Sequence, residues 1–543
     1  MSIKSVFYGS LVHSLSLSEI EYIESALLGV DEAGRIAFLE HPVKANQINS
    51  VIESKGWTDF TLTVLSRGDF LCPGLVPLPL GCAYRNCRFI DTHTHAPQYC
   101  NLGYGQQYEL LDWLEHVTFP KEIQFADAAY ARRTYEGVVQ RVINTGTTTC
   151  CYYGTHHLTT KILAAICHRR GQRAFVGKCN MDRNSEPYQE ESTEKSLQDT
   201  IEFVNFVRSK CIPPGENTIE KKGDFVTLHP GTLVQPILTP RFAISCTDKL
   251  LEGLGQFMKQ DPTLPLQTHL AENPSEIQFT KSLFEFTDNY TSVYDHFGLL
   301  RSNTVLAHCV HLDDSETAIL RRTGAGISHC PTSNFNLRSG TSRVADLLDL
   351  GLKVSLGTDV AGGFGQGILS SIRQASVASK TIVFTKRDAP SPPTEREKAP
   401  TLPTIHKDST GKPYNANHFA SRHLGVETLF YLATVGGAQV CCIEDKVGKF
   451  AVGMEFDALL VSSGQMQEPQ AKDVSSEMET DDQIMEYKEV PDTFSTLGNP
   501  SMFVEAEDNL EKIFEKFLFS GDDRNIASVF VKGRVIGGSR PSK

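Results

Sequence analysis

His93 and His95 stand two places apart in the run Phe89-Ile90-Asp91-Thr92-His93-Thr94-His95. Side chains alternate along an extended strand, so Asp91, His93 and His95 are expected on one face and Ile90, Thr92 and Thr94 on the other. Two imidazoles on one face at a strand end can grip a metal ion. An isolated His-x-His is also ordinary strand composition, and the rest of the chain makes the pair informative: Gln267-Thr268-His269, Leu306-Ala307-His308 and Gly357-Thr358-Asp359 each follow a short apolar stretch. Together His93, His95, His269 and Asp359 form a nitrogen and carboxylate set of the kind zinc accepts, with a place left for water. A bound divalent ion lowers the pKa of that water to about 7, which is hydrolytic equipment. Glu272, three residues after His269, would bring a general acid/base beside the water, although an acidic residue is also favoured in the first turn of a helix. His308 is expected to bond the hydroxide or the substrate. Asp359 could serve as ligand and as proton acceptor, and the division of proton transfers among Glu272, His308 and Asp359 stays open. His311 is expected to be a loop histidine. The glycines of Gly362-Gly363-Phe364-Gly365-Gln366-Gly367 lack a Walker lysine and follow the last strand, so they are expected to form a turn at the site rather than a phosphate loop.

Positioning these side chains requires strands that end at one place. Strand-like runs begin at Phe89 and continue at Thr147 to Tyr153, Arg173 to Cys179, Leu233 to Leu238, Leu264 to Leu270, Thr304 to His308, Gly326 to Cys330 and Lys353 to Thr358. They alternate with helix-length amphipathic segments, which predicts parallel βαβ units and, at eight strands, a (β/α)₈ TIM-type barrel with its active site at the C-terminal strand ends. The barrel is expected over residues 86–438. Residues 1–85 and 439–543 are expected to supply the two parts of a small β-sandwich domain built from both chain termini. An exposed insertion is expected at 386–413, rich in Pro, Ser, Thr and charge, and an acidic loop poor in large apolar residues at about 463–492.

Of the chain's 543 residues, 40% are hydrophobic, enough for a sizeable core. No stretch approaches the length needed to span a bilayer and the amino terminus carries no continuous apolar segment, so a soluble cytoplasmic protein is expected. The 14 cysteines lack the spacing of a secreted disulfide scaffold, which suits a reducing compartment. A net charge of −13 without a basic footprint disfavours a nucleic-acid polymer as partner, but not a single neutral base.

The chain resembles the metal-dependent amidohydrolase superfamily, and within it the guanine-deaminating branch. The resemblance is carried by an ordered series of motifs: FIDTHTHAPQ from Phe89, LLDWLEHVTFP from Leu110, PRFAISC from Pro240, QTHLAE from Gln267, TSVYD from Thr291, HCPTSN from His329, LGTDVAGG from Leu356 and FLFSGDDRNI from Phe517. It implies one zinc ion per chain held by His93, His95, His269 and Asp359, His308 beside the hydroxide, and Glu272 as proton shuttle. It also implies a base pocket lined by Gln98, Arg241 and Phe242, with His95, His269, Glu272 and Asp359 facing the substrate. An amide, a guanidinium fork and an aromatic ring suit the amide-like edge and flat face of guanine. Trp113 would either close the pocket or pack on the barrel. The implied reaction converts guanine to xanthine and ammonia, and the implied assembly is a homodimer. Set beside a compact member of the family that the chain resembles, a further insertion is expected near 210–231. Two alternatives remain: a relative acting on another amino- or halogen-substituted ring, or a catalytically silent scaffold.

Overall fold

The computed structural model describes residues 3–57, 59–73, 89–188, 192–216, 219–388, 423–446, 450, 452–463, 501–505 and 507–539. The expected insertions at 386–413 and 463–492 lie almost wholly outside them; helix Ile368–Asp388 runs into the start of the first. At 210–231, a short antiparallel pair, Lys221–Lys222 with Phe225–Val226, tucks Phe225 and Val226 into the core.

Eight strands occupy the expected positions: Phe89–His95, Thr147–Tyr153, Arg173–Gly177, Val234–Pro236, Leu266–Leu270, Thr304–His308, Gly326–His329 and Lys353–Leu356, here the first to eighth barrel strands. The first and second are buried at every residue, as parallel strands covered on both faces must be. Helices separate them, among them Ala128–Asn144, His157–Arg170, Thr193–Lys210, Asp248–Gln260, Pro274–Leu283 and Asp314–Thr323. Each has a local cause. Asp127 accepts hydrogen bonds from the Ala129 and Tyr130 amides at the start of Ala128–Asn144, whose inner face buries Ala131, Tyr135, Val138, Val139 and Val142. Gly171, at φ 73°, ends His157–Arg170 in the left-handed conformation that glycine adopts without strain.

The eight strands make two parallel ladders of four, not one closed ladder. A Leu238–Leu266 bridge spans the seam between the fourth and fifth strands. At the other seam, Asp359 N donates to His93 O (2.8 Å) and His95 N to Val360 O (3.0 Å). These two bonds hold the first strand against the segment after the eighth, at the residues expected to do chemistry.

The expected β-sandwich is not what the pairing describes: strands from both chain ends join one eight-stranded sheet. Phe70–Pro73 and Ala458–Val461 pair antiparallel at its middle, with Cys72 opposite Leu459. Alternation gives the sheet two faces. Phe70, Cys72, Leu459 and Val461 join the barrel's apolar core, whereas Leu71, Leu460, Phe7, Phe456 and Phe530 form a separate cluster. The closing hairpin, Ile526–Val531 with Arg534–Gly537, turns at Lys532 and Gly533, both at positive φ, as a two-residue hairpin turn requires.

Candidate active site

The first barrel strand does not alternate strictly. Its pairing register with the second shifts between Asp91 and Thr94, a bulge that re-aims side chains. Asp91 therefore does not join the histidines, as alternation had predicted. Its carboxylate accepts from the Thr358 hydroxyl (2.5 Å), the Thr358 amide (3.0 Å) and the His93 amide (3.2 Å), which clamps the first strand to the end of the eighth.

His93, His95, His269 and Asp359 converge at the C-terminal strand ends. Asp359 Oδ1 lies 3.2 Å from His93 Nε2 and 3.4 Å from His95 Nε2, and the Nε2 atoms of His95 and His269 are 3.3 Å apart. Donors about 2.1 Å from a zinc ion at tetrahedral angles stand about 3.4 Å from one another. His93 Nε2 is buried beside the carboxylate, yet makes no hydrogen bond to it, as expected of lone pairs aimed at a common point. His269 Nδ1 donates to Arg241 O at 2.5 Å, which leaves Nε2 as the free lone pair. The residues present fit a divalent metal. Donor atoms of His93, His269, His308 and Asp359 also lie within 4.8 Å of one another, so His308 borders the same point.

His308 Nε2 is 3.3 Å from Glu272 Oε2 and 3.6 Å from Asp359 Oδ2, while its Nδ1 bonds the Asn334 amide oxygen at 2.9 Å. Ser339 donates to the other Glu272 oxygen at 2.9 Å, and His311, outside the cluster, braces the Ser339 carbonyl at 2.7 Å. Burial pushes the Glu272 carboxyl up to about 8, with the Asp359 charge adding to the shift. Burial would also raise Asp359, but His93, His95 and His308 together outweigh it and hold this carboxyl well below its usual range. Burial pulls His95 down to about 4 and His269 well below an ordinary histidine. The site thus sets an aspartate held low against a glutamate pushed up toward neutrality.

Above this cluster is a pocket lined by Gln98, Trp113, Arg241, Phe242, Glu272 and Glu276 among others. Trp113 both lines it and packs with Leu114, Phe119, Phe242 and Leu337. Gln98 and Arg241 meet on Glu122, which closes the short helix Phe119–Glu122. Arg241 donates to both Glu122 oxygens (2.5 and 3.1 Å), and Gln98 Nε2 donates to Oε1 at 2.9 Å. Gln98 Oε1 accepts from the Ala361 amide at 3.1 Å. The glycines after Asp359 form a turn, as expected: a Cβ on Gly363 would stand 2.2 Å from Thr358 O, and one on Gly362 would stand 2.9 Å from Asp359 Oδ2.

All the expected site residues therefore gather at one end of the barrel. Sequence reasoning missed Glu122, Ser339, Asn334 and Glu276. Glu276 alone left a local signal, because Asn273-Pro274-Ser275-Glu276 has the spacing of a capping box.

A (β/α)₈ barrel whose strand ends join imidazoles and carboxylates around one point defines a class of hydrolases, and the chain belongs to it: residues 89–536 match the amidohydrolase family. Within that family it is similar to guanine deaminases. It is 36% identical to guanine deaminase of Dictyostelium discoideum, over 98% of both chains. It is 37% identical to the probable guanine deaminase of Schizosaccharomyces pombe, over 98% of this chain and 83% of that one. The crystal structure of guanine deaminase from C. acetobutylicum with guanine bound in its active site superposes with a TM-score of 0.72 at 29% identity, covering 98% of this chain and 100% of that one.

Proposed function

We propose that this protein is a zinc-dependent guanine deaminase, converting guanine and water to xanthine and ammonia in purine breakdown or salvage, and that it works as a homodimer. The observation that carries this is the place of Glu272: its carboxylate faces His308 beside the donor cluster and also lines the pocket walled by Gln98, Arg241 and Phe242. The near full-length similarity to guanine deaminases supports the choice of base.

His93, His95, His269 and Asp359 would hold the zinc ion, which when bound supplies a Lewis acid and an acidified water. Arg241 and Gln98 orient the ring, and Phe242 offers its face. Glu272 takes a proton from the attacking water and passes it to the ring nitrogen beside C2, while oxygen bonds to C2 and that carbon becomes tetrahedral. His308 Nε2 is placed to hold the developing oxygen charge. Asp359 transfers the second water proton to the amino group, the C2–N bond breaks, and ammonia leaves.

The test is ammonia release from guanine, with adenine and cytosine in parallel and zinc determined on the same sample. Xanthine from guanine alone, by protein carrying about one zinc per chain, is the expected result. Bound zinc without guanine turnover would overturn the substrate assignment and point to another substituted ring.

A further inference from the structure

Glu122 belongs to no strand end and to none of the residues assigned to the reaction, yet it is among the least accessible carboxylates of the described residues, at 1% exposure. It makes three hydrogen bonds, all to two of the polar side chains that line the pocket: Arg241 grips both of its oxygens, and Gln98 Nε2 donates to one of them. The guanidinium also stacks over Phe119, its carbon 5.2 Å from the ring centre. Two consequences follow from the chemistry of these groups.

The first concerns charge. An arginine at 2% exposure facing a cavity would confront a neutral base with an uncompensated cation; paired with Glu122, the wall offers donors without net charge. The second concerns polarity. A glutamine amide can present its nitrogen or its oxygen with equal ease, because a flip exchanges the two. Here a flip would set oxygen against the Glu122 carboxylate and NH₂ against the Ala361 N–H, so neither bond could survive. Gln98 is locked in one sense and Arg241 in one orientation by a single carboxylate.

The geometry points to Glu122 as a positioning residue that fixes the donor pattern of the pocket and, with the Arg241 guanidinium set toward position 6 of the ring, selects a purine with an oxo acceptor there, an assignment that rests on the proposed deamination of guanine. 2,6-Diaminopurine carries the same amino group at C2 but an amino donor where guanine has its oxo group. Pairing that donor with a guanidinium leaves both groups without an acceptor, which is the kind of mismatch that polar sites reject strongly.

The experiment compares the unaltered protein with Glu122→Gln, measuring kcat and KM for guanine and 2,6-diaminopurine, zinc content and the melting temperature. In the variant, KM for guanine is expected to rise about tenfold or more while kcat stays within about threefold, and the preference for guanine over 2,6-diaminopurine to fall about tenfold. Zinc content should not change, because Glu122 does not touch the donor cluster. A folded, zinc-loaded variant with unaltered KM and unaltered preference would overturn the proposal. So would a common fall in kcat for both bases at constant KM, the mark of a purely structural role. If the glutamine variant does not fold, Glu122→Asp serves: it keeps the charge but is too short to hold both partners, and unchanged discrimination there would also overturn the proposal. Absence of guanine turnover by the unaltered protein would remove the deamination itself, an outcome visible before any variant is made.

Discussion

Two residues at the centre of the site each have a contact that fixes their chemical form. His269 is held to one tautomer by the Arg241 carbonyl, and Glu272 is held by Ser339. In the proposed zinc enzyme, replacing His93 or Asp359 by Ala should abolish bound zinc and turnover together, because each removes a proposed donor. Glu272→Gln should keep the zinc and lower kcat by about 10²–10⁴, the span typical of a lost general acid/base; metal analysis beside steady-state kinetics separates the two cases. Ser339→Ala gives a finer test. The serine hydroxyl favours ionised Glu272 against its burial, so its loss should raise that pKa further. Since the proposed reaction needs Glu272 ionised to take the first proton, the rising limb of the pH–rate profile should move to higher pH. A profile that stayed in place would show that another group controls that limb.

At the scale of the element, the ends of strands carry the strain. Ala271, His308 and Asp359 all have positive φ, at 49°, 70° and 46°, in a region that costs non-glycine residues about 1–3 kcal/mol each and persists only where neighbours hold it. Glu276 is one such neighbour. It accepts from the Glu272 amide at 2.9 Å and the Asn273 amide at 3.2 Å, which ties helix Pro274–Leu283 to the turn that carries Glu272. Its carboxyl is pushed up to about 7 by burial, then by the charge on Glu272. Between the ordinary carboxylate value and 7, the folded protein holds a proton that the unfolded chain has released. Its contribution to stability is therefore full in acid and is lost as pH rises through about 7. Glu276→Gln cannot titrate and should flatten that part of the stability curve, as urea unfolding between pH 5 and 8 would show. An unchanged slope would mean that Glu276 titrates normally.

Across the whole molecule, the barrel and the terminal sheet are joined by apolar contact and by one buried ionic cluster. Arg173, at the start of the third barrel strand, meets Glu455 at 2.6 Å and Asp457 at 3.2 Å, beside the strand Ala458–Val461. Removing one partner of such a pair leaves a buried charge alone. Arg173→Met should therefore destabilise by about 3–5 kcal/mol, whereas Arg173→Met with Asp457→Leu should recover much of the loss. Equilibrium denaturation of the two single variants and the double variant measures the coupling. Phe517 extends the apolar contact, with its ring centre 5.9 Å from that of Phe70 in the terminal sheet and 6.4 Å from that of Phe89 in the first barrel strand.

The sequence by itself determined the eight strands, the residues at their ends and the chemistry those residues can perform. These depend on local quantities: a period of two, an apolar run before each polar terminus, and the identity of a donor atom. His93, His95, His269, His308 and Asp359 were legible for that reason. The tertiary structure alone decided how the donors are oriented and what they are not. The bulge that sends Asp91 to Thr358 depends on the neighbouring strand, and the joining of the terminal strands into one sheet depends on pairings between the two ends of the chain. The partners that tune the site lie far along the chain, with Glu122 119 residues from Arg241 and Ser339 67 residues from Glu272. No local pattern encodes such pairs, because burial and closure of the barrel bring them together.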